Sequence, residues 1–274
     1  MRRVVLIASV ALVCSVASVM AQSAPVTPKG HLLIVGGALG TTEDIFERAV
    51  RTAGGAAGMV VVLPQASELA DTGQSNVQMW KKAGFGKAVS IDPKHSAAAL
   101  AAIEQATFIW FPGGDQNRLT KAWAGTGIPA AIRARYVEGA LVGGSSAGAA
   151  VMSTVMITGE ADLQSITSGR TRLAPGFALW PGVLVDQHFL KRQRSNRLIS
   201  AVLGHPDLVG VGIDEATAVF VSGREFEVLG KSSVVVVDAR TAEVDQTGAG
   251  QLATGRNLKV SVLKAGMRFS LDRE

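Results

Sequence analysis

Gly144-Ser145-Ser146-Ala147-Gly148 reads as G-x-S-x-G. It follows an apolar strand-like run, Ala140 to Gly143, and opens a stretch of small apolar residues, Ala147 to Met156, that predicts a helix. Strand, sharp turn and helix are the setting of a nucleophile elbow, in which the turn lifts a serine hydroxyl out of the sheet. The register selects Ser146 over Ser145. Small neighbours keep the turn free of clashes, and the Ala147 amide, at the positive end of the helix, can donate to a developing oxyanion. An N-cap serine on a glycine-rich turn fits the same residues, so the partners have to decide.

A nucleophilic serine needs a base and a group that orients the base. The chain has four histidines: His31 before the first strand, His95 in a polar loop, His188, and His205 before Pro206 in a turn. His188 ends the apolar run Val183-Leu184-Val185-Asp186-Gln187, where a strand end faces a ligand crevice. For the acid, Asp214-Glu215 follows the apolar Val209 to Ile213, again at a strand end. Ser146, Asp186 and His205 would instead give the serine–acid–histidine order of an α/β-hydrolase. The better-placed residues run serine, histidine, acid.

The elements that must position these groups alternate. Apolar runs at His31–Val35, Met59–Leu63, Lys87–Ile91, Thr107–Phe111 and Ala140–Gly143 predict strands. Helical patterns at Thr41–Ala53, Val77–Ala83, Ala97–Gln105, Leu119–Trp123 and Ile128–Glu138 lie between them. Continuous apolar strands alternating with helices predict a mostly parallel sheet with helices on both faces, a three-layer α/β sandwich. After Gly212, short β runs separated by glycine turns predict a β-rich C-terminal extension. The loop Gly36 to Gly40 is not G-x-G-x-x-G and no P-loop occurs, so it is expected to be a turn and no nucleotide cofactor is expected.

Of the 274 residues, 47% are hydrophobic and 18% charged, which excludes disorder. Met1-Arg2-Arg3 followed by apolar or small residues through Val19, then Ala21, has the layout of a secretory signal peptide, with cleavage expected after Ala21. Gln22–Gly30 reads as a linker and residues 31–274 as one domain. Cleavage lowers the net charge of +5 by two, too mild a balance for nucleic-acid binding. It also removes Cys14, the only cysteine, so no cysteine metal site and no disulfide are expected. The expectation is a secreted or periplasmic protein with no membrane association after cleavage; oligomeric state is open, a homodimer included.

Gly113-Gly114-Asp115-Gln116, the serine segment, Asp186-Gln187-His188-Phe189 with Arg192, Arg194 and Arg197, and Gly212-Ile213-Asp214-Glu215 occur in that order. Together they resemble the motifs of the serine-peptidase family that contains cyanophycinase and aspartyl dipeptidase, from about His31 to the C-terminus. Serine at Ser145, where the family also uses threonine, is a mild departure. The resemblance implies Ser146 as nucleophile, His188 as base, Glu215 as its orienting acid, and Gly114 and Ala147 as oxyanion donors. It places Gln116, Asp186, Gln187, Arg192, Arg194 and Arg197 along the substrate cleft, with no metal. Asp186 is then expected to pair with a substrate guanidinium and the arginines with substrate carboxylates. The implied substrate is cyanophycin, an arginyl-substituted polyaspartate, cut to β-Asp-Arg dipeptides. A dipeptidase for Asp-containing peptides and a non-catalytic binding homologue are the alternatives.

Overall fold

The computed structural model describes residues 27–91, 96–159, 164–245 and 248–272. The leading apolar segment, Cys14 and His95 lie outside the described residues. Strands β1 (His31–Val35), β2 (Met59–Val62), β3 (Lys87–Ser90), β4 (Phe108–Phe111) and β5 (Leu141–Ser145) pair in parallel in the order β1-β5-β4-β2-β3. Between them run α1 (Glu43–Thr52), α2 (Thr72–Ala83), α3 (Ser96–Gln105), α4 (Gln116–Trp123) and α5 (Ile128–Glu138).

The strands are apolar throughout because both faces are covered. On β1, Leu33 and Val35 pack with Ile45 and Ala49 of α1 and Val77 and Trp80 of α2. Leu32 and Ile34 point the other way, into a core with Ile103 of α3 and Ile132 of α5. Each such aliphatic side chain taken fully out of water contributes about 1.5–3 kcal/mol.

After β5 the chain forms α6 (Ala147–Ala150), the short pair β6 (Val155–Ile157) and β7 (Leu173–Pro175), then β8 (Val183–Gln187), α7 (Ser195–Gly204) and β9 (Val209–Ile213). The β-rich end follows: β10 (Thr217–Ser222), β11 (Glu225–Gly230), β12 (Ser233–Asp238), β13 (Glu243–Asp245), β14 (Thr254–Arg256), β15 (Lys259–Lys264) and β16 (Arg268–Ser270). Here the structure refines the expected extension. β10, β11 and β16 do extend the main sheet, antiparallel beyond β1, to eight strands. β8, β9, β12 and β15 instead form a second sheet of four. Its inner valines, including Val185, Val211 and Val236, join the α3–α5 core, while α7 covers its outer face through Leu198 and Val202. The sandwich is therefore helix–sheet–helix in its first half and gains a sheet-on-sheet layer in its second.

The helix expected from Ala147 to Met156 stops at Ala150. The carbonyls that would continue it are taken: Val151 by the Phe177 amide, Met152 by Leu179 and Trp180, Ser153 by Ala178. Long-range amides outcompete the local ladder. The helix expected at Leu119–Trp123 begins earlier, at Gln116, because the Asp115 carboxylate accepts the Asn117 amide and caps it.

Candidate active site

The C-terminal end of β1 organises the site. Three successive carbonyls accept amides from three separate segments: Val35 from Ser146 at 3.0 Å, Gly36 from His188 at 2.7 Å, and Gly37 from Ala216 at 2.9 Å. One strand end thus fixes the backbone of the main-sheet loop after β5, the second-sheet loop after β8, and the turn after β9.

Ser146 has φ 56° and ψ −110°, a conformation costly for any residue with a Cβ. The flanking glycines make that turn possible by close backbone approach. A Cβ on Gly144 would stand 2.3 Å from the Gly148 carbonyl oxygen, and one on Gly148 would stand 2.1 Å from that of Phe111. The hydroxyl emerges beside the imidazole: His188 Nε2 lies 2.9 Å from Ser146 Oγ, and His188 Nδ1 lies 2.7 Å from Glu215 Oε1. With Glu215 accepting from Nδ1–H, Nε2 is left to accept the Ser146 proton. Gln187 Oε1 is a more distant second acceptor at 3.4 Å. Gly113 abuts the Ser146 side chain, and Gly114, at φ 141°, is pressed against the Ala66 carbonyl, where no Cβ fits. The Ala147 amide heads α6 and so has no acceptor within the helix. Gly114 thus stands on the neighbouring loop after β4, and Ala147 directly follows Ser146 on the elbow itself.

His188 is 8% exposed. Burial holds its pKa below the usual 6.5; the bond to Glu215 pulls it upward, and the charges of Arg192 and Arg194 add to the lowering. The shift favours the neutral imidazole, the form able to accept a proton. kcat/KM is therefore expected to fall on the acid side with an apparent pKa below 6.5. Removing a cation stabilises the imidazolium, so Arg192→Gln is expected to move that acid limb to higher pH. Paired pH–rate profiles check both statements.

The neighbouring carboxylates divide their work. Glu215 faces His188, whereas Asp214 accepts the Leu190 and Lys191 amides at 3.1 and 2.9 Å and the Ser232 hydroxyl at 2.7 Å. Burial would raise the Asp214 pKa, but these bonds and the Glu215 amide together hold it below the ordinary value.

The expected substrate cleft is corrected in part. Asp186 has no exposed surface, and Arg194 and Arg197 are almost as deeply buried. Arg197 clamps the Asp186 carboxylate through Nε at 2.9 Å and through a second nitrogen, and donates to the Gly159 carbonyl at 2.7 Å. Arg194 donates to the Gln187 carbonyl at 2.7 Å and to Gln187 Oε1 at 3.0 Å. A carboxylate inside an apolar strand must be paired, and these arginines pair and brace it rather than line the cleft. Of the three arginines only Arg192 is exposed. Gln187 is buried between Ser146 and Arg194, and Gln116 donates to the Ile157 carbonyl at 2.7 Å. The hydrolase-type alternative also loses its members, with Asp186 sealed and His205 capping α7. Among the described residues no group of three or more His, Cys, Asp and Glu stands ready to hold a metal ion.

Gly37 was expected only as part of a turn. At φ 131° it lies close against the His188 ring: a Cβ there would stand 2.2 Å from His188 Cε1 and 2.5 Å from Nε2. Two adjacent glycines at a strand end were the signal for close approach. Gly37→Ala is expected to lower kcat about 100-fold by displacing the imidazole from Ser146, with a parallel loss of labelling by a fluorophosphonate. Kinetics and labelling rates of the purified variant test this.

A parallel-sheet α/β core carrying a strained serine beside a histidine–glutamate pair defines the class, an α/β serine hydrolase. The chain belongs to peptidase family S51, whose family model matches residues 32–229, and it is a serine-type peptidase. It is 36% identical over 262 residues to a cyanophycinase of Trichormus variabilis, covering 90% of this chain and 87% of that one. It is 34% identical over 257 residues to a cyanophycinase of Geminocystis herdmanii, covering 88% and 94%. In fold it is similar to the crystal structure of a peptidase from an acI-B1 Actinobacterium, with TM-score 0.67, 19% identity, and 90% and 98% of the two chains covered. A putative peptidase E from Listeria monocytogenes EGD-e superposes with TM-score 0.54 at 18% identity, covering 74% and 99%.

Proposed function

We propose that this peptidase is an exported cyanophycinase that hydrolyses cyanophycin to β-Asp-Arg dipeptides through Ser146, His188 and Glu215. The observation that carries the mechanism is the unbroken chain of contacts from Ser146 Oγ through both ring nitrogens of His188 to Glu215. The substrate rests on the relatives, which are cyanophycinases over nearly their whole length.

In this mechanism the Ser146 oxygen bonds to the scissile carbonyl carbon while His188 Nε2 takes the hydroxyl proton. The Gly114 and Ala147 amides receive the oxyanion, a single such donor being worth about 3 kcal/mol. The carbon–nitrogen bond then breaks, His188 protonates the leaving amine, and water repeats the sequence on the acyl-enzyme. Glu215 holds the imidazole and stabilises its charged form. Arg192, exposed beyond the base, supplies a cation for a substrate carboxylate in this reading. The apolar leader Met1 to Ala21 directs export, which suits a polymer too large to enter a cell.

Incubating the mature protein with insoluble cyanophycin and identifying soluble products by mass tests the reading. Release of β-Asp-Arg supports it. Cleavage of Asp-containing dipeptides without attack on the polymer would retain the mechanism and replace the substrate. Inertness towards both would replace catalysis by binding.

A further inference from the structure

Two hollows open beside the serine loop and beyond it, and His188 lines neither. The first, about 370 Å³, touches Gly113, Gly114 and Ser145 and is walled by Trp110, Met79 and Leu69. The second, about 630 Å³, lies between the loop after β2 and α4 and includes Glu68, Arg118 and Lys121. They share Ser67 and Leu69, so they adjoin across a low ridge and are taken together as one groove leading away from the serine loop.

The groove is built rather than incidental. Ser67 Oγ lies 2.6 Å from Thr72 Oγ1 and accepts the Leu69 amide at 3.1 Å, while the Asp115 amide donates to the Ala66 carbonyl at 2.9 Å. These bonds tie the ridge between the hollows to the loop carrying Gly114. On that ridge Leu69 is 72% exposed, an apolar side chain awaiting cover. At the outer end Glu68 and Arg118 pair with each other, both largely exposed, and Lys121 stands one helical turn further along α4. Such a solvated pair exchanges partners at little cost.

Resting on the proposed reading, we infer that this groove is a distal subsite for the uncleaved remainder of the polymer. Each repeat of that chain carries a guanidinium and a carboxylate on a long aliphatic stem. Glu68 suits the guanidinium, Arg118 and Lys121 suit the carboxylates, and Leu69 suits the stem. The catalytic end alone handles short substrates; the groove adds affinity only for longer chains.

The test compares R118Q/K121Q with the wild type on cyanophycin chains and on a dimer of β-Asp-Arg units, with melting curves recorded for both proteins. The expected result is a fall of about tenfold in the ratio of kcat/KM for long over short chains. That deficit should shrink as salt is raised, which a general structural lesion would not do. An unchanged ratio, or equal losses on both substrates, overturns the inference while leaving the proposed function intact. A wild type that cleaves neither substrate removes both.

Discussion

Ser146→Ala is expected to lower kcat by about four to six orders of magnitude on any peptide the enzyme turns over. Removing the nucleophile of a serine–histidine site leaves only the binding contacts and oxyanion donors, which retain a small residual rate over water. The fold should survive, since alanine keeps the Cβ and the Ser146 amide still reaches the Val35 carbonyl at 3.0 Å. Ser145 provides the contrast. It ends β5 and lines the neighbouring hollow rather than the His188 side, so Ser145→Ala should cost less than about tenfold. Ser146→Gly gives an independent check, because glycine occupies φ 56° without strain. That variant should be as inactive as the alanine one and more stable by about 1 kcal/mol, as expected where strain is stored at a reacting residue. Turnover and thermal melting of the three variants measure all of this. A loss below about 100-fold in Ser146→Ala would place the nucleophile elsewhere.

What the sequence makes legible is whatever depends on neighbouring residues. The elbow glycines, the apolar strands and the strand-end positions of His188 and Glu215 all stand in local pattern, and the first five strands lie within a residue or two of their expected ranges. Pairing between distant segments does not. Nothing in Val183 to Gln187 tells which sheet it joins, yet its place in the second sheet makes His188 approach Ser146 from across a seam. The same limit applies to α6, whose end is set by amides from residues 177–180. The arginine series shows a different limit. Arg192, Arg194 and Arg197 look alike as a basic run, and the turn after β8 together with the first turn of α7 decides which of them face inward. The readable clue was Asp186, a carboxylate within an apolar strand, which demands a buried partner.

Asp186→Ala is the second large effect, and it falls on stability. The pair is sealed, with side-chain exposure of 4% for Arg197 and none for Asp186. Removing the carboxylate takes away the buried partner that Arg197 grips with two nitrogens and is expected to cost about 3–5 kcal/mol. Arg197→Met should cost a similar amount, for the reciprocal reason, and also leaves the Gly159 carbonyl without its donor. The two losses should not add. D186L/R197M replaces a buried ion pair by apolar volume, which is often nearly neutral, so it should recover more than half of either single loss. Full recovery is not expected, because the Gln187 amide donates to Asp186 Oδ1 at 2.7 Å and would lose its acceptor. Denaturant unfolding of D186L, R197M and D186L/R197M measures the cycle, with D186A as a separate truncation. The same proteins separate bracing from substrate binding. If the pair only holds the end of β8 beneath His188, the double variant keeps the wild-type KM for peptide and changes kcat alone. A raised KM in a double variant of restored stability would return Asp186 and Arg197 to the cleft wall, against their burial.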